Sequence, residues 1–139
     1  MPKTINIQTD RKEIAIQRDG EYVGSIYFSP SDVSILNRLR EAQQKLEDFK
    51  INTEVADLDE MLDEANRADK ALRDAIDYAF DYPCSDVVFG NSYSFTTRKG
   101  VSAIEQFLTG AIDYISSEMK TEAEASKKRQ DKYLAKYKK

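Results

Sequence analysis

Apolar residues recur three or four positions apart through residues 53–82, and charged residues occupy most of the positions between them. This period predicts an amphipathic helix of about thirty residues that buries one face. Asn52 or Thr53 is the expected N-cap, and Pro83 ends the pattern because proline cannot continue a helix. We expect the rest of the chain to pack around this helix. Its apolar stripe consists of Val55, Leu58, Met61, Leu62, Ala65, Ala68, Leu72, Ala75, Ile76, Ala79 and Phe80.

Residues 30–49 carry a second helical stripe. Ser29 is the expected N-cap and Pro30 the first helical residue, where its missing N–H group costs nothing. Residues 50–52 are too few for a flexible linker, which leaves two arrangements open: a helical hairpin, or one long helix bent near Asn52. The expected buried positions are Ile35, Leu36, Leu39, Ala42, Leu46 and Phe49.

A third helix is expected to begin near Val101 or Ser102, because Glu105 stands where the partner of a Ser102 capping box belongs. Its apolar pattern fades after Glu118, and residues 120–139 form a basic tail that is helical or disordered. The core stripe of this helix consists of Ala103, Ile104, Phe107, Leu108, Ala111, Ile112, Ile115 and Met119.

Isoleucines alternate with polar residues twice near the N-terminus, first at positions 5 and 7 and then at positions 14 and 16. This period of two predicts strands, and Asp19-Gly20 predicts a hairpin turn before residues 22–28. We therefore predict an α+β fold that is mainly α. A small antiparallel sheet, either a hairpin or three strands, precedes three long amphipathic helices.

A chain of 139 residues with 40% apolar content fits one domain with a modest core. We place this single domain at residues 1–119 and the basic tail at 120–139. Within the domain we expect the sheet at 1–28, helices at 29–82, a turn and loop at 83–100, and a helix at 101–119.

Charge is distributed unevenly along the chain, whose formal net charge is −4. Residues 53–82 sum to −7 and residues 120–139 to +5. The basic tail is either a solubilising terminus or a segment that docks on an acidic surface, nucleic acid or a membrane. The carboxylates of residues 57–64 lack the glycine of a calcium loop and the histidines of a di-metal bundle, so a solvated acidic face is favoured over a partner or metal site.

The residue inventory gives no support for an enzyme, a metal site or a cofactor. The chain has no histidine, its five glycines are scattered, and its one cysteine, Cys84, has no base to activate it. We expect Cys84 to be a core residue. No apolar run reaches membrane-spanning length, and residues 1–10 lack the layout of a signal peptide, so we expect a cytosolic protein.

Four short motifs resemble a known family: AIDYAF at residues 75–80, CSDVVFG at 84–90, IEQFL at 104–108 and IDYI at 112–115. They are similar to motifs of the tail assembly chaperones of tailed phages and prophages of Gram-positive bacteria, best over residues 70–120. In that family a β-rich N-terminus precedes helices, an Asp-apolar-apolar-Phe-Gly turn, a short loop and a helix with a Phe-Leu pair.

The resemblance implies a non-enzymatic factor in the bacterial host cytoplasm that coats the tape-measure protein and keeps it soluble until the tail tube forms. We also expect a homo-oligomer, because one small sheet does not cover the apolar stripes of the long helices. Loops such as residues 91–100 often carry recognition. The candidate partner contacts are Val87, Val88, Phe89, Tyr93, Phe95, Tyr133 and Tyr137.

Two other functions remain open. The chain is a structural or adaptor component of the phage virion, or it is an acidic inhibitor that mimics nucleic acid. Binding of nucleic acid itself is disfavoured, because basic and acidic residues mix around the aromatics of the predicted sheet and no basic groove surrounds them.

Overall fold

The computed structural model describes residues 2–48 and 57–135. It confirms an α+β chain that is mainly helical, with a two-stranded N-terminal sheet and a long C-terminal helix. The predicted three long helices are an approximation, since the helices differ greatly in length. In chain order the elements are β1 (Lys12–Arg18), β2 (Glu21–Phe28), α1 (Ser34–Glu47), α2 (Leu58–Phe80), α3 (Ser85–Phe89), β3 (Thr97–Arg98), β4 (Val101–Ser102) and α4 (Ala103–Ala135).

The β1–β2 hairpin follows from the predicted turn. Asp19 and Gly20 have φ angles of +51° and +86°, as a two-residue turn matched to strand twist requires. Antiparallel pairing runs from Lys12 opposite Phe28 to Arg18 opposite Glu21, with one irregularity after Ile16. The hairpin alternative is therefore the one that forms, and one of its faces packs on the core.

The strand expected around Ile5 and Ile7 does not form. Residues 2–11 lie outside any strand, and these two isoleucines are 79% and 80% exposed. An alternating pattern becomes a strand only where a neighbouring edge accepts it. Here the hydroxyls of Thr9 and Ser29 are hydrogen-bonded at 2.8 Å, which holds the segment beside the end of β2.

The start of α1 is also corrected. The helix begins at Ser34, four residues after Pro30, which is buried in the preceding turn. The Asp32 carboxylate accepts a hydrogen bond from the Ser34 amide at 3.1 Å, so Asp32 satisfies a free donor at the helix start and Ser29 does not. Phe49, the last predicted position of this stripe, lies outside the described residues.

Helices α1 and α2 are two separate helices that pack against each other, which excludes the single bent helix. The Arg38 Nε near the start of α1 donates to the Ala79 carbonyl near the end of α2 at 2.9 Å. The Asp57 carboxylate caps α2 by accepting from the Glu60 amide at 2.8 Å. The predicted caps Asn52 and Thr53 lie outside the described residues.

Helix α4 spans 33 residues and continues past the predicted end of the domain. Its Glu105 amide donates to the Ser102 hydroxyl, so the serine acts as the expected cap. A short β3–β4 hairpin precedes the helix and turns at Lys99 and Gly100, whose φ angles are +52° and +84°. This hairpin lies in the segment predicted to be a loop, and each of its strands has only two residues. A lysine is also not typical of a left-handed turn position.

The core lies between the inner face of the hairpin and helices α1 to α4. Its fully buried large side chains include Ile26 of β2, Leu39 of α1, Ile76 of α2, and Ile104 and Leu108 of α4. The predicted helix stripes therefore face one shared interior, except at the start of α2, where Leu58, Met61 and Leu62 are 67%, 42% and 42% exposed. In the described part of the chain, no helix combines the length and apolar character needed to cross a membrane.

Candidate protein-binding groove

An ion network on α2 fixes the loop that follows α3. Arg73 contacts Asp69 and Asp86 at 2.8 Å each, and its guanidinium donates to the carbonyls of Gly90 at 2.8 Å and Ser92 at 2.6 Å. The side chains of Arg73 and Asp69 are only 14% and 15% exposed. A guanidinium has five donors in a fixed plane, so one side chain holds the loop at several points.

A second carboxylate of α2 caps α3. Asp77 accepts hydrogen bonds from the amides of Cys84 at 2.9 Å and Ser85 at 2.7 Å, and from the Ser85 hydroxyl. These amides are unsatisfied donors at a helix start, where a negative charge is favourable. Asp69 and Asp77 are therefore not free surface charges of α2, because Asp69 also accepts from the Ser94 amide of the loop and Asp77 binds the start of α3.

Cys84 occupies the core position that the sequence predicts. Its side chain is fully buried, and this burial, reinforced by the Asp77 carboxylate, raises the pKa of the thiol to about 12. The thiol is therefore protonated at neutral pH and is not a nucleophile. Across residues 2–48 and 57–135, no three cysteine, aspartate or glutamate side chains are placed to hold a metal ion.

A contact between Arg18 and Gly90 joins the hairpin to α3. A Cβ atom at Gly90, whose φ is +59°, would lie 2.0 Å from Arg18 Nη1. The missing side chain at Gly90 leaves room for the guanidinium, which donates through Nη2 to the Val87 carbonyl at 3.2 Å. This contact sets the position of β1 relative to α3.

These contacts enclose a groove of about 870 Å³ between β1, the segment from α3 to β3, and the first three turns of α4. Consecutive residues 14–20 line one side of it. Successive strand residues point to opposite faces, so a groove that touches all of them runs along the strand's edge. The lining is mixed, with polar side chains such as Gln17, Thr96 and Gln106 beside apolar ones. The larger apolar and aromatic lining residues are Ile14, Ile16, Val88, Phe89, Tyr93 and Phe107.

The outer edge of β1 lies open in this groove. Strand β1 pairs only with β2, and in the part of the chain that the structure describes no backbone hydrogen bond joins its outer edge to another element. An open edge offers a row of amide and carbonyl groups to an extended segment, and apolar pockets beside it select the side chains. Arg18, Asp19 and Arg98 add charge around the groove.

The structure brings together three of the seven predicted contact residues. Val88 and Phe89 line the groove but are only 8% and 3% exposed, so they form its inner wall more than a contact surface. Tyr93 is half-buried at the groove, stacks on Phe95 at 4.9 Å and donates to the Asn66 side chain at 2.8 Å.

The other predicted residues lie elsewhere. Val87 is not a lining residue, and its Cγ1 would lie 2.8 Å from a Cβ atom at Gly24 of β2. Phe95 supports Tyr93 from behind. Tyr133 is nineteen residues beyond Tyr114, the last lining residue of α4, and is therefore about 28 Å away along the helix. Tyr137 lies outside the described residues.

The sequence does not predict that β1 and Phe107 contribute to the groove. Alternation predicts only a strand at Ile14 and Ile16, and helical spacing predicts a core position for Phe107, but all three are half-buried and line the groove. The alternation of the isoleucines and the helical spacing of Phe107 predict apolar faces. They do not predict that one edge of β1 remains unpaired. Comparisons of the chain with protein-family models, with curated proteins and with solved structures found no match.

Proposed function

We propose that this chain is a non-enzymatic, chaperone-like assembly factor of a tailed phage or prophage, and that it holds a segment of the tape-measure protein in the groove beside β1. The observation that carries the proposal is the combination of an open strand edge with a groove of about 870 Å³ that contains apolar and aromatic side chains. Such a site suits a protein segment, because backbone hydrogen bonds and side-chain pockets act together. The tape measure as client comes from the resemblance described above.

The function needs no reactive group. Apolar surface that is exposed before assembly promotes aggregation, and covering it with a charged protein keeps the client in solution. The exposed carboxylates of α2, such as Asp59, Asp63 and Asp74, supply charge on a surface separate from the groove.

Filling the groove is expected to abolish client binding. Gly110 lines the groove, and a Cβ atom added there meets no atom within 4 Å, so Gly110→Leu can place its side chain in the site. Thr109→Leu is the matched control, because it adds a similar side chain to the neighbouring exposed position, which does not line the groove. The measurement is the soluble fraction of the tape-measure protein from the same genome when the two proteins are co-expressed.

We expect the unaltered chain and Thr109→Leu to keep the tape measure soluble in a complex, and Gly110→Leu to lose this activity at unchanged helix content. Neutralising Asp59, Asp63 and Asp74 should leave it intact. An insoluble tape measure with the unaltered chain contradicts the proposal. Loss only on neutralisation, with binding that salt weakens steeply, supports the acidic inhibitor instead.

A further inference from the structure

Residues 3–9 have the alternating sequence of a β-strand, but their apolar side chains are exposed, as in a strand without a neighbour. Ile5 and Ile7 alternate with the polar side chains of Thr4, Asn6 and Gln8, and both isoleucines are about four-fifths exposed. Single exposed apolar residues are ordinary, but two on one side of an extended segment form a strand face without a neighbour. We name residues 3–9 the N-terminal arm.

The open edge of β1 matches this arm in length and pattern. Strand β1 has seven residues, as the arm has, and its half-buried isoleucines are also two positions apart. In an antiparallel pairing, Ile5 lies opposite Ile16 and Ile7 opposite Ile14, with all four side chains on one face of the sheet. Those side chains meet the apolar wall of the groove, which includes Phe107.

Antiparallel strands pair slightly more stably per residue than parallel strands, which favours this orientation. In this register Asp10 lies opposite the oppositely charged Arg11, whereas Lys3 and Arg18, which carry like charges, lie opposite each other. Parallel pairing would also place two cations together, Lys3 and Lys12, so charge does not select the orientation. We infer that the groove accepts the N-terminal arm of a second copy of this chain, which adds as a third strand to β1.

The arm of the same copy is a poorer occupant. To reach its own β1 it would fold back through Asp10 and Arg11, and the favoured two-residue turns need either a positive φ at both positions (type I′) or a glycine at the first position (type II′). Asp10 has φ +49° but is not a glycine, and Arg11 does not have a positive φ. Instead, the Arg11 guanidinium lies 4.5 Å from the centre of the Tyr27 ring, which keeps the root of the arm at β2.

Exchange of arms between two copies is reciprocal, because each copy has one arm and one open edge. The result is a closed dimer in which the β1 edge of each copy is paired. A client that binds the same edge would have to displace the arm. The inference rests on the arm and the edge alone, and it does not depend on the identity of the client.

A disulfide between copies tests the register. Gln8 and Glu13 are exposed, and the proposed pairing places them opposite each other, within the Cα distance that a disulfide needs. A chain with Gln8→Cys is mixed with a chain with Glu13→Cys and oxidised. The matched control replaces Glu13→Cys by Gln17→Cys, which lies on the same face of β1 but about 13 Å further along.

We expect a covalent heterodimer from the first mixture, at least about tenfold more abundant than from the control mixture. Cys84 is buried and does not compete. Equal yields from the two mixtures overturn the inference. A single chain that carries both Gln8→Cys and Glu13→Cys and closes an internal disulfide as a monomer also overturns it, because the arm then pairs with its own β1.

Mass measurement by sedimentation equilibrium gives an independent readout. Ile7→Pro removes a backbone donor from the arm and should convert the dimer to a monomer with unchanged core stability, whereas Gln8→Ala should remain a dimer. A dimer that survives Ile7→Pro, or a chain that is monomeric without any substitution, contradicts arm exchange. Neither outcome affects the co-expression assay, whose result depends on the tape measure.

Discussion

The two halves of α4 differ in the contacts that stabilise them. In the first half, Ile104, Leu108, Ala111 and Ile115 are buried in the core. After Met119 the helix continues for sixteen residues, about 24 Å, and apart from the half-exposed Glu122 every side chain is exposed. We name these parts the core half (Ala103 to Met119) and the projecting half (residues 120–135).

The contrast between the two halves shows how side-chain packing and intrinsic helix propensity each contribute to the stability of α4. The projecting half is rich in alanine, glutamate and lysine, which have high helix propensity, and Glu124 and Lys128 are four residues apart in the favourable order. Each such effect contributes only a few tenths of a kcal/mol, while burial of one large apolar side chain contributes roughly 1.5–3 kcal/mol. The core half should therefore open only with the whole protein, and the projecting half should open locally.

The largest expected difference between the core and the projecting half is in thiol reactivity. Ala125→Cys places an exposed thiol on the projecting half, whereas Cys84 is buried in the core and has a pKa of about 12. At pH 8 the thiolate fraction of Cys84 is about 10³-fold lower than that of an exposed thiol. We expect iodoacetamide to modify position 125 at least about 10³-fold faster.

Unfolding in denaturant is the control for this experiment, because it should make the two thiols react at similar rates. The raised pKa of Cys84 also makes the free energy of unfolding depend on pH. Because the folded chain favours the protonated thiol, this contribution to stability is complete below about pH 8.5 and declines as the pH rises towards 12. Similar alkylation rates in the folded protein would show that Cys84 is not held in a closed core.

Truncating one leucine in each half should give the next largest contrast. Leu108 is 1% exposed, so Leu108→Ala should lower the free energy of unfolding by about 2–5 kcal/mol. Leu134 is 57% exposed, and Leu134→Ala should change it by less than about 0.5 kcal/mol. Urea denaturation followed by circular dichroism measures both. A large effect of Leu134→Ala would show that the projecting half is packed in solution, for instance on another copy.

A glycine–alanine pair should give the smallest contrast. Gly110 is an exposed helical residue with open space around its missing Cβ, so Gly110→Ala should stabilise the protein by about 0.5–1 kcal/mol. The reverse change on the projecting half, Ala125→Gly, should lower helix content slightly without moving the global midpoint. A shift of the midpoint by Ala125→Gly would mean that both halves of α4 unfold as one unit.

Local signals in the sequence predicted much of the fold. The Asp19-Gly20 turn and the three helical stripes depend on residues close together in the chain, and the structure confirms the hairpin and the helices. The start of α1 was placed too early because Ser29 and Pro30 give a strong helix signal in isolation. The turn at Asp32 takes precedence, since its carboxylate bonds to the Ser34 amide.

Long-range contacts explain what the sequence did not predict. Asp69, Arg73 and Asp77 look like ordinary surface charges of a helix, but α3 and the loop after it return to them. The groove likewise combines β1, α3 and α4, which are distant along the chain. The arm has a clear strand pattern, but a pattern within one segment does not specify the edge that accepts it. The partner roles of the seven predicted contact residues remain predictions.

The projecting half of α4 also affects how the protein moves through water. A helical rod extending about 24 Å beyond a small core raises the frictional coefficient more than it raises the mass. The chain should therefore elute from a sizing column ahead of compact proteins of the same 15.9 kDa mass. A monomer then has the elution volume of a larger compact protein, so the number of copies in solution follows from measured mass and not from apparent size.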